Sequence, residues 1–297
     1  MMNQITQCPV CDSSEFSTAL EGVDYGYTQE EFTIVSCTSC GFWFTNPIPT
    51  EDKIGDYYKS ENYISHTSSK KGLFERLYHI VRKRAIKQKF KLSSRGKSQG
   101  HLLDIGCGTG DFLLFASQNW KVKGLEPSDD ARKLAADKGV DVSPATDLHS
   151  LEANTFDSIT MWHVLEHVYD LNKDLAQIKN VLKDDGYLYV AVPNRTSFDA
   201  KHYQKYWAAY DLPIHLYHFA PADIKTLMKK HGMEVEKVLP MKFDSYYVSM
   251  LSEQYKNQHK KLSIGDIIKG FWNGFRSNMK ANNETYSSQI YVIKKAA

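Results

Sequence analysis

The sequence predicts an α/β protein built on a parallel sheet with helices on both faces, preceded by a small cysteine-rich module. Three observations carry this. From Gly100 onward, strand-like runs alternate with helical periods, the pattern that lays each helix across the sheet between parallel strands. A strand at His101 to Ile105 runs straight into Gly106-x-Gly108-x-Gly110 and a helix. Four of the five cysteines fall into two Cys-x-x-Cys pairs, Cys8/Cys11 and Cys37/Cys40, within the first 46 residues.

With 297 residues, 42% of them hydrophobic, the chain can bury one large core or two modest ones, which excludes a disordered protein. Five cysteines are too few for a disulfide scaffold of this length. There is no basic-then-apolar leader and no apolar run near the roughly 18 residues of a membrane span, so a soluble, cytoplasmic protein is expected. The net charge of +2 hides an asymmetry: Lys70 to Lys97 holds eleven Lys or Arg against Glu75 alone. That basic stretch fits a solvated helix face, a peripheral membrane contact or, least of the three, nucleic acid.

Residues 1–46 carry the paired cysteines and short β-type runs such as Phe32 to Val35, and end at Asn46-Pro47-Ile48-Pro49, a plausible module boundary. Residues 47–99 read as a helical connector, with Leu73, Phe74, Leu77, Ile80 and Val81 spaced along one face. Residues 100–297 form the α/β domain. Its second strand is Lys121 to Leu125, followed by a helix capped at Ser128 and closed by Gly139. Phe156 to Met161 and Tyr187 to Val192 are further strands. Pro221 opens a helix that Gly232 ends, Met233 to Leu239 and Gln289 to Ile293 are the last strands, and the residues between them hold helices.

The Gly-x-Gly-x-Gly turn brings backbone N–H groups and a helix N-terminus close to a ligand. A nicotinamide dinucleotide site wants its third glycine one residue later, where Asp111 stands, which argues against NAD. Glu126, twenty residues after Gly106, is placed to accept hydrogen bonds from a ribose.

On these residues the chain resembles class I S-adenosylmethionine-dependent methyltransferases. Leu103-Asp104-Ile105-Gly106-Cys107-Gly108-Thr109-Gly110 is similar to their first motif, and Gly124-Leu125-Glu126-Pro127-Ser128 to the end of their second strand. The run from Phe156 to Val168 is similar to their fourth strand and the helix after it, as in ubiquinone-type O-methyltransferases. The resemblance implies a Rossmann-like, seven-stranded, mostly parallel sheet whose last strand runs antiparallel. It implies that Asp104, Gly106, Gly108 and Gly110 surround the methionine moiety, that Glu126 holds the ribose, and that Asp147 and Leu148 flank the adenine. Cys107, Pro127 and Trp162 complete the cofactor side.

His163-Val164-Leu165-Glu166-His167 places two histidines and a glutamate at i, i+4 and i+3, so a helix would set all three on one face with metal-ligand geometry. The same letters match the His-x-x-Glu-His pattern of a zinc hydrolase, a rival reading that needs a helix and a further ligand. In ubiquinone-type relatives this place carries a metal-linked Glu-x-x-Glu-His cluster, and His163 stands here where the first Glu would be. A second group, Asp211 to Phe219, includes His215 and follows a strand, where loops lie over the pocket of such a sheet. His163, His167 and His215 are the candidate bases for a hydroxyl acceptor. The aromatic run His202, Tyr203, Tyr206, Trp207 and Tyr210 either walls in an acceptor or packs onto its own domain.

Each Cys-x-x-Cys pair resembles a zinc knuckle, and the two together make a closed four-sulfur site for structural Zn2+ in a zinc ribbon. A ribbon can also be the working part and bind RNA or a protein, with the catalytic domain accessory. Residues 1–46 contain acids but no Lys or Arg, which makes nucleic acid an unlikely partner. The order of ribbon, Tyr57-Tyr58 segment and catalytic domain resembles bacterial methyltransferases of small-molecule, lipid or glycan pathways. O-methylation of such an acceptor is the expected chemistry.

Overall fold

The computed structural model describes residues 2–59 and 73–296, the side chains of 59 and 73–81 excepted. The apolar face read from Leu73, Phe74, Leu77, Ile80 and Val81, and the start of the Lys70 to Lys97 run, lie outside the described side chains.

The elements follow in the order β1 (Met2–Asn3), β2 (Phe16–Val23), β3 (Glu31–Cys37), β4 (Trp43–Thr45), β5 (Ile48–Pro49) and the long helix α1 (Leu73–Ser94). Then come β6 (His101–Ile105), α2 (Asp111–Ala116), β7 (Lys121–Leu125), α3 (Asp129–Asp137), β8 (Val142–Ser143), β9 (Phe156–Trp162), α4 (Leu171–Val181) and β10 (Leu182–Pro193). The chain closes with α5 (Phe198–Tyr203), β11 (Tyr217–His218), α6 (Pro221–Lys230), β12 (Met233–Pro240), α7 (Asp244–Lys256), α8 (Ile264–Lys280) and β13 (Ser288–Lys295).

Seven strands form the main sheet in the order β8-β7-β6-β9-β10-β13-β12. The pairs from β8 to β10 are parallel, and β13 is antiparallel to both neighbours, as the resemblance implies. Ser128 caps α3 by accepting from the Ala131 N–H, and Gly139 (φ 80°) follows its end. Helix α4 buries Leu171, Leu175, Ile178 and Val181 at helical spacing.

The N-terminal strands make a second sheet in the order β11-β4-β3-β2, and its outer strand β11 comes from the catalytic half of the chain. Phe44 pairs with Tyr217 and Trp43 with His218. The two halves share one buried cluster in which Cys8, Val10, Phe42, Phe44 and Ile48 pack with Leu103, Ile159, Leu188 and Ile224. A module this small buries little apolar surface alone, so it gains its core from the sheet it sits on.

One expectation is corrected. No helix follows β9: His163 adopts a left-handed conformation (φ 58°), Val164 is non-helical, and only the 3-10 turn Leu165–His167 comes before α4. The reason is packing, because the turned chain sets Val164 over Gly106, where an added Cβ would lie 2.4 Å from Val164 Cγ2.

Candidate functional site

The three glycines of the turn all have positive φ, but for different reasons. Gly106 makes room for Val164. A Cβ at Gly110 would come within 2.9 Å of Ala135, so this glycine lets α3 approach. A Cβ at Gly108 would meet nothing within 4 Å, so Gly108 presents bare backbone to open space where a ligand can approach. Cys107 turns the other way, buried against Leu113 and beneath Gly124, so only its backbone faces the turn.

Glu126, at the end of β7, is fixed by two backbone donors: the Gly108 N–H to Oε2 and the Ser128 N–H to Oε1, each at 2.9 Å. The Arg132 guanidinium donates to the carbonyls of Glu126 and Pro127, which holds this corner. The carboxylate keeps lone pairs for two further donors. Leu148 is buried and Asp147 half-buried in the turn after β8, at the same end of the sheet.

Asp104 is buried in β6 opposite Thr160 of β9, whose hydroxyl donates to Oδ1 at 2.5 Å. Burial pushes the Asp104 carboxyl up to about 7, against the opposing pull of that hydrogen bond and of Lys89. Lys89 reaches in from α1 and lies 4.5 Å over the Trp162 ring. Its ammonium is lowered by burial, with Asp104 and Asp244 working to keep the charge. The Trp162 indole N–H is buried without an acceptor among the described residues. Asp104, Lys89 and Trp162 thus gather an acid, a cation and a free donor beside the glycine turn.

On the far side of Val164 the histidines separate. His163 Nε2 lies 2.9 Å from Asp244 of α7 and its Nδ1 lies 3.4 Å from Glu166. Burial opposes the charge, but the two carboxylates hold His163 protonated, up to about 10. His167 and His215 come together, ring edge to face at 4.6 Å. Burial drives both down, His167 to about 4, so both are neutral at pH 7. His215 Nδ1–H donates to the Ala209 carbonyl at 2.9 Å, and His167 Nδ1 lies 3.1 Å from the Ile214 carbonyl and 3.2 Å from the Tyr58 hydroxyl. With Nδ1 spent as donor, each ring keeps its Nε2 lone pair.

Glu166 is buried between these rings; burial opposes its charge, and protonated His163 on its other side holds the carboxyl below its ordinary range. Among the described residues neither carboxylate oxygen has a hydrogen-bond partner, the nearest contact being the 3.4 Å ion pair of Oε1 with His163 Nδ1. Glu166, His167 and His215 offer ligand atoms within 4.8 Å of one another, the donor set of a divalent cation.

The ribbon sheet braces this pocket. Thr45 of β4 donates to the His215 carbonyl at 2.9 Å and accepts from His218 Nε2 at 3.0 Å. Of the aromatic run, Tyr203, Trp207 and Tyr210 are buried with Phe32, Ile34 and Leu212, which is the packing alternative, while His202 is exposed. The sulfurs of Cys8, Cys11, Cys37 and Cys40 lie within 4.8 Å of one another, with Cys8–Cys40 at 3.6 Å and Cys11–Cys37 at 3.5 Å. Tetrahedral zinc with bonds of about 2.3 Å asks for sulfur separations of roughly 3.8 Å, so the cluster fits.

Residues 77–238 match the family model described as a methyltransferase domain, more than half of the chain. The chain belongs to the methyltransferase domain family. The methyltransferase is 29% identical over 149 residues to a demethylmenaquinone methyltransferase of Symbiobacterium thermophilum, a match covering 46% of this chain and 54% of that protein. It is 27% identical over 162 residues to a ubiquinone biosynthesis O-methyltransferase of Xanthomonas axonopodis pv. citri, covering 49% of this chain and 67% of the relative. The chain thus spans about half to two thirds of the length of these curated relatives. A solved S-adenosylmethionine-dependent methyltransferase from Thermotoga maritima, described as a possible histamine N-methyltransferase, superimposes with a TM-score of 0.52 at 20% identity. That match covers 82% of this chain and all of the other, and establishes the class I fold.

Four groups at the methyltransferase site escape sequence reading. Thr160 sits in a strand like any other. Lys89 is one cation among eleven, and only the structure turns it inward. Asp244 reaches His163 from a helix eighty residues away, and β11 is two residues long in what reads as a loop.

Proposed function

We propose that the protein moves a methyl group from S-adenosylmethionine to a hydroxyl of a small-molecule, lipid or glycan acceptor, with His167 and His215 at the acceptor. The observation that carries this reading is the adjacency, across Val164 and Gly106, of a backbone cradle for a ribose-bearing cofactor and a pair of neutral histidines with free Nε2 atoms. S-adenosylmethionine supplies an electrophilic methyl on a sulfonium. Glu126 would accept from the ribose hydroxyls, Gly108 would lie along the methionine moiety, Asp104 would take its ammonium and Lys89 its carboxylate. Asp147 and Leu148 would flank the adenine.

Methyl transfer is an in-line displacement, so most of the rate comes from holding the acceptor oxygen against the methyl group. The hydroxyl proton needs a base as the new bond forms, and a neutral histidine supplies one at pH 7. Protonated His163, tied to Asp244, serves as an orienting cation. The four cysteines would hold a structural zinc, which keeps β4 and therefore Thr45 in place under His215. A His-x-x-Glu-His hydrolase finds no support, since residues 163–167 are not helical and His163 is engaged by Asp244.

The test is to incubate the purified protein with S-adenosylmethionine bearing a deuterated methyl group and a small-molecule and lipid extract. A product carrying the labelled methyl on oxygen is expected, absent with Glu126→Ala. Failure of the folded protein to bind S-adenosylhomocysteine by calorimetry overturns the reading.

A further inference from the structure

Helix α8 is built inside out. The residues it turns to the protein are small or polar: Asp266, Gly270, Asn273, Gly274 and Ser277. The residues it turns outward are apolar: Ile264, Ile268, Phe271, Trp272, Phe275 and Met279, with Phe271, Trp272 and Met279 at 58%, 60% and 69% exposure. A soluble surface helix has the opposite pattern, as α4 does.

Both halves of this inversion have a cause. The glycines let α8 lie directly on α7, since a Cβ at Gly270 would meet the Met250 backbone at 2.4 Å and one at Gly274 would meet Tyr246 Cα at 2.7 Å. The polar residues lock the hairpin to the domain. Asn273 donates to both Tyr203 Oη and Glu253 Oε1 at 3.0 Å, and Ser277 Oγ donates to Asp199 at 2.8 Å. With its protein-facing side committed to this buried network, the helix cannot rotate to hide its aromatics. The outward face is therefore a fixed feature of the fold.

Charge identifies the occupant. Between residues 256 and 280 the exposed side chains include Lys256, Lys260, Lys261, Lys269, Arg276 and Lys280, and none has an ion-pair partner among the described residues. The one acid there, Asp266, is buried and holds the helix N-terminus through Ser263, His259 and Asn257. A second copy seated on this face would bring two such sets of cations together. An apolar ridge of about 23 Å, from Ile264 to Met279, flanked by cations and carrying Trp and Phe, matches the interface of an anionic bilayer. In the described part of the Lys70 to Lys97 run, Arg82 pairs with Asp111, Arg95 with Glu236, Lys97 with Asp157 and Asp185, and Lys89 turns inward. Lys83, Arg84, Lys87 and Lys91 are exposed without an ion-pair partner among the described residues, but they stand beside no comparable apolar ridge there. On α8, Arg276 and Lys280 lie over the Phe198 ring.

We propose that the α7–α8 hairpin docks the protein on an anionic membrane surface, with α8 lying in the interface. No helix among the described residues is long and apolar enough to cross a membrane, so this is a surface contact. The hairpin begins at Asp244, the residue that holds His163, and the C-terminal end of α8 lies beside it, since Asn278 donates to Ser245 Oγ at 2.9 Å. The inference stands apart from the methyl-transfer reading, because docking needs no cofactor.

The experiment is co-sedimentation of the full chain with phosphatidylcholine vesicles and with vesicles that also contain phosphatidylglycerol. Binding to the anionic vesicles is expected, and Phe271→Ser with Trp272→Ser weakens it about tenfold or more, since both rings leave the interface. S-adenosylhomocysteine binding of this variant stays as in the parent, and melting falls only by the contact that the Phe271 ring gives up with Tyr246 on α7. Lys260→Glu with Lys261→Glu, which touches no packed surface, weakens binding to the anionic vesicles as a second check. The proposal is overturned if the parent ignores both vesicle types or if the aromatic variant binds as well as the parent. It is equally overturned if the parent is a dimer in solution that the aromatic substitutions dissolve.

Discussion

The two sides proposed for the site, the cofactor-donor side and the acceptor side, are built in opposite ways. The donor side is almost continuous in sequence: Asp104, the glycine turn and Glu126 lie on one β-α-β passage, and backbone N–H groups fix its key carboxylate. The acceptor side is assembled from Thr45 and Tyr58 near the N-terminus, His163 to His167 after β9, His215 beside β11 and Asp244 on α7. A local site tolerates change elsewhere, whereas a composite one depends on every element that meets there. Perturbing the two sides separately should therefore give separable losses.

The largest effect is expected at the acceptor pair. His215→Gln should lower the turnover of the labelled acceptor by about 10²- to 10³-fold, the usual weight of a general base, with S-adenosylhomocysteine affinity within about twofold of the parent. A matching loss of cofactor affinity would show the two sides to be one unit. On the donor side, Glu126→Ala removes the ribose acceptor and leaves the Gly108 and Ser128 N–H groups unpaired, and should weaken S-adenosylhomocysteine binding about 100-fold by calorimetry.

Cys37→Ser sharpens the comparison from a distance. The zinc proposed for the four cysteines should be lost by elemental analysis and turnover reduced roughly tenfold through β4 and Thr45, with cofactor affinity retained.

Two smaller effects follow from charge. Asp104 titrates at about 7 in the fold against 3.8 when exposed, so its contribution to stability is greatest below pH 3.8 and is lost as pH rises to about 7. Asp104→Asn should therefore melt higher than the parent at pH 8 without cofactor, by about 1–2 kcal/mol, and show little gain at pH 4. His163 runs the other way. Its pKa of about 10 lies above the ordinary 6.5, so the Asp244 pair stabilises fully below pH 6.5 and fades as pH rises toward 10. Asp244→Asn should bring the His163 titration back toward the ordinary imidazole range by NMR, with a stability change under about 1 kcal/mol because the ring is partly open to solvent.

This contrast also explains what could be read in advance. Glycines at positive φ, a carboxylate at a strand end and a capped helix are local signals, and the sheet, its antiparallel last strand and the cofactor turn are all where the sequence places them. The helix that the resemblance implies directly after β9 does not form at residues 163–167, although their spacing would suit one. The conformation is decided instead by Val164 packing on Gly106, a contact across the fold. Asp244, Lys89 and β11 carry no local signal, since each acquires its role from a neighbour distant in the chain. The outward aromatics of α8 have helical spacing too, but periodicity alone does not say which face the protein covers.

The pairing of β4 with β11, which joins Phe44 to Tyr217, sets the order of assembly. A ladder that closes so long a loop carries a large entropic cost and forms only after the intervening sheet has collapsed. During synthesis β2, β3 and β4 can pair with one another, but the fourth strand of their sheet arrives only when residue 217 emerges. A chain cut short before residue 217 would therefore lack the outer strand of this sheet and leave the β4 edge open.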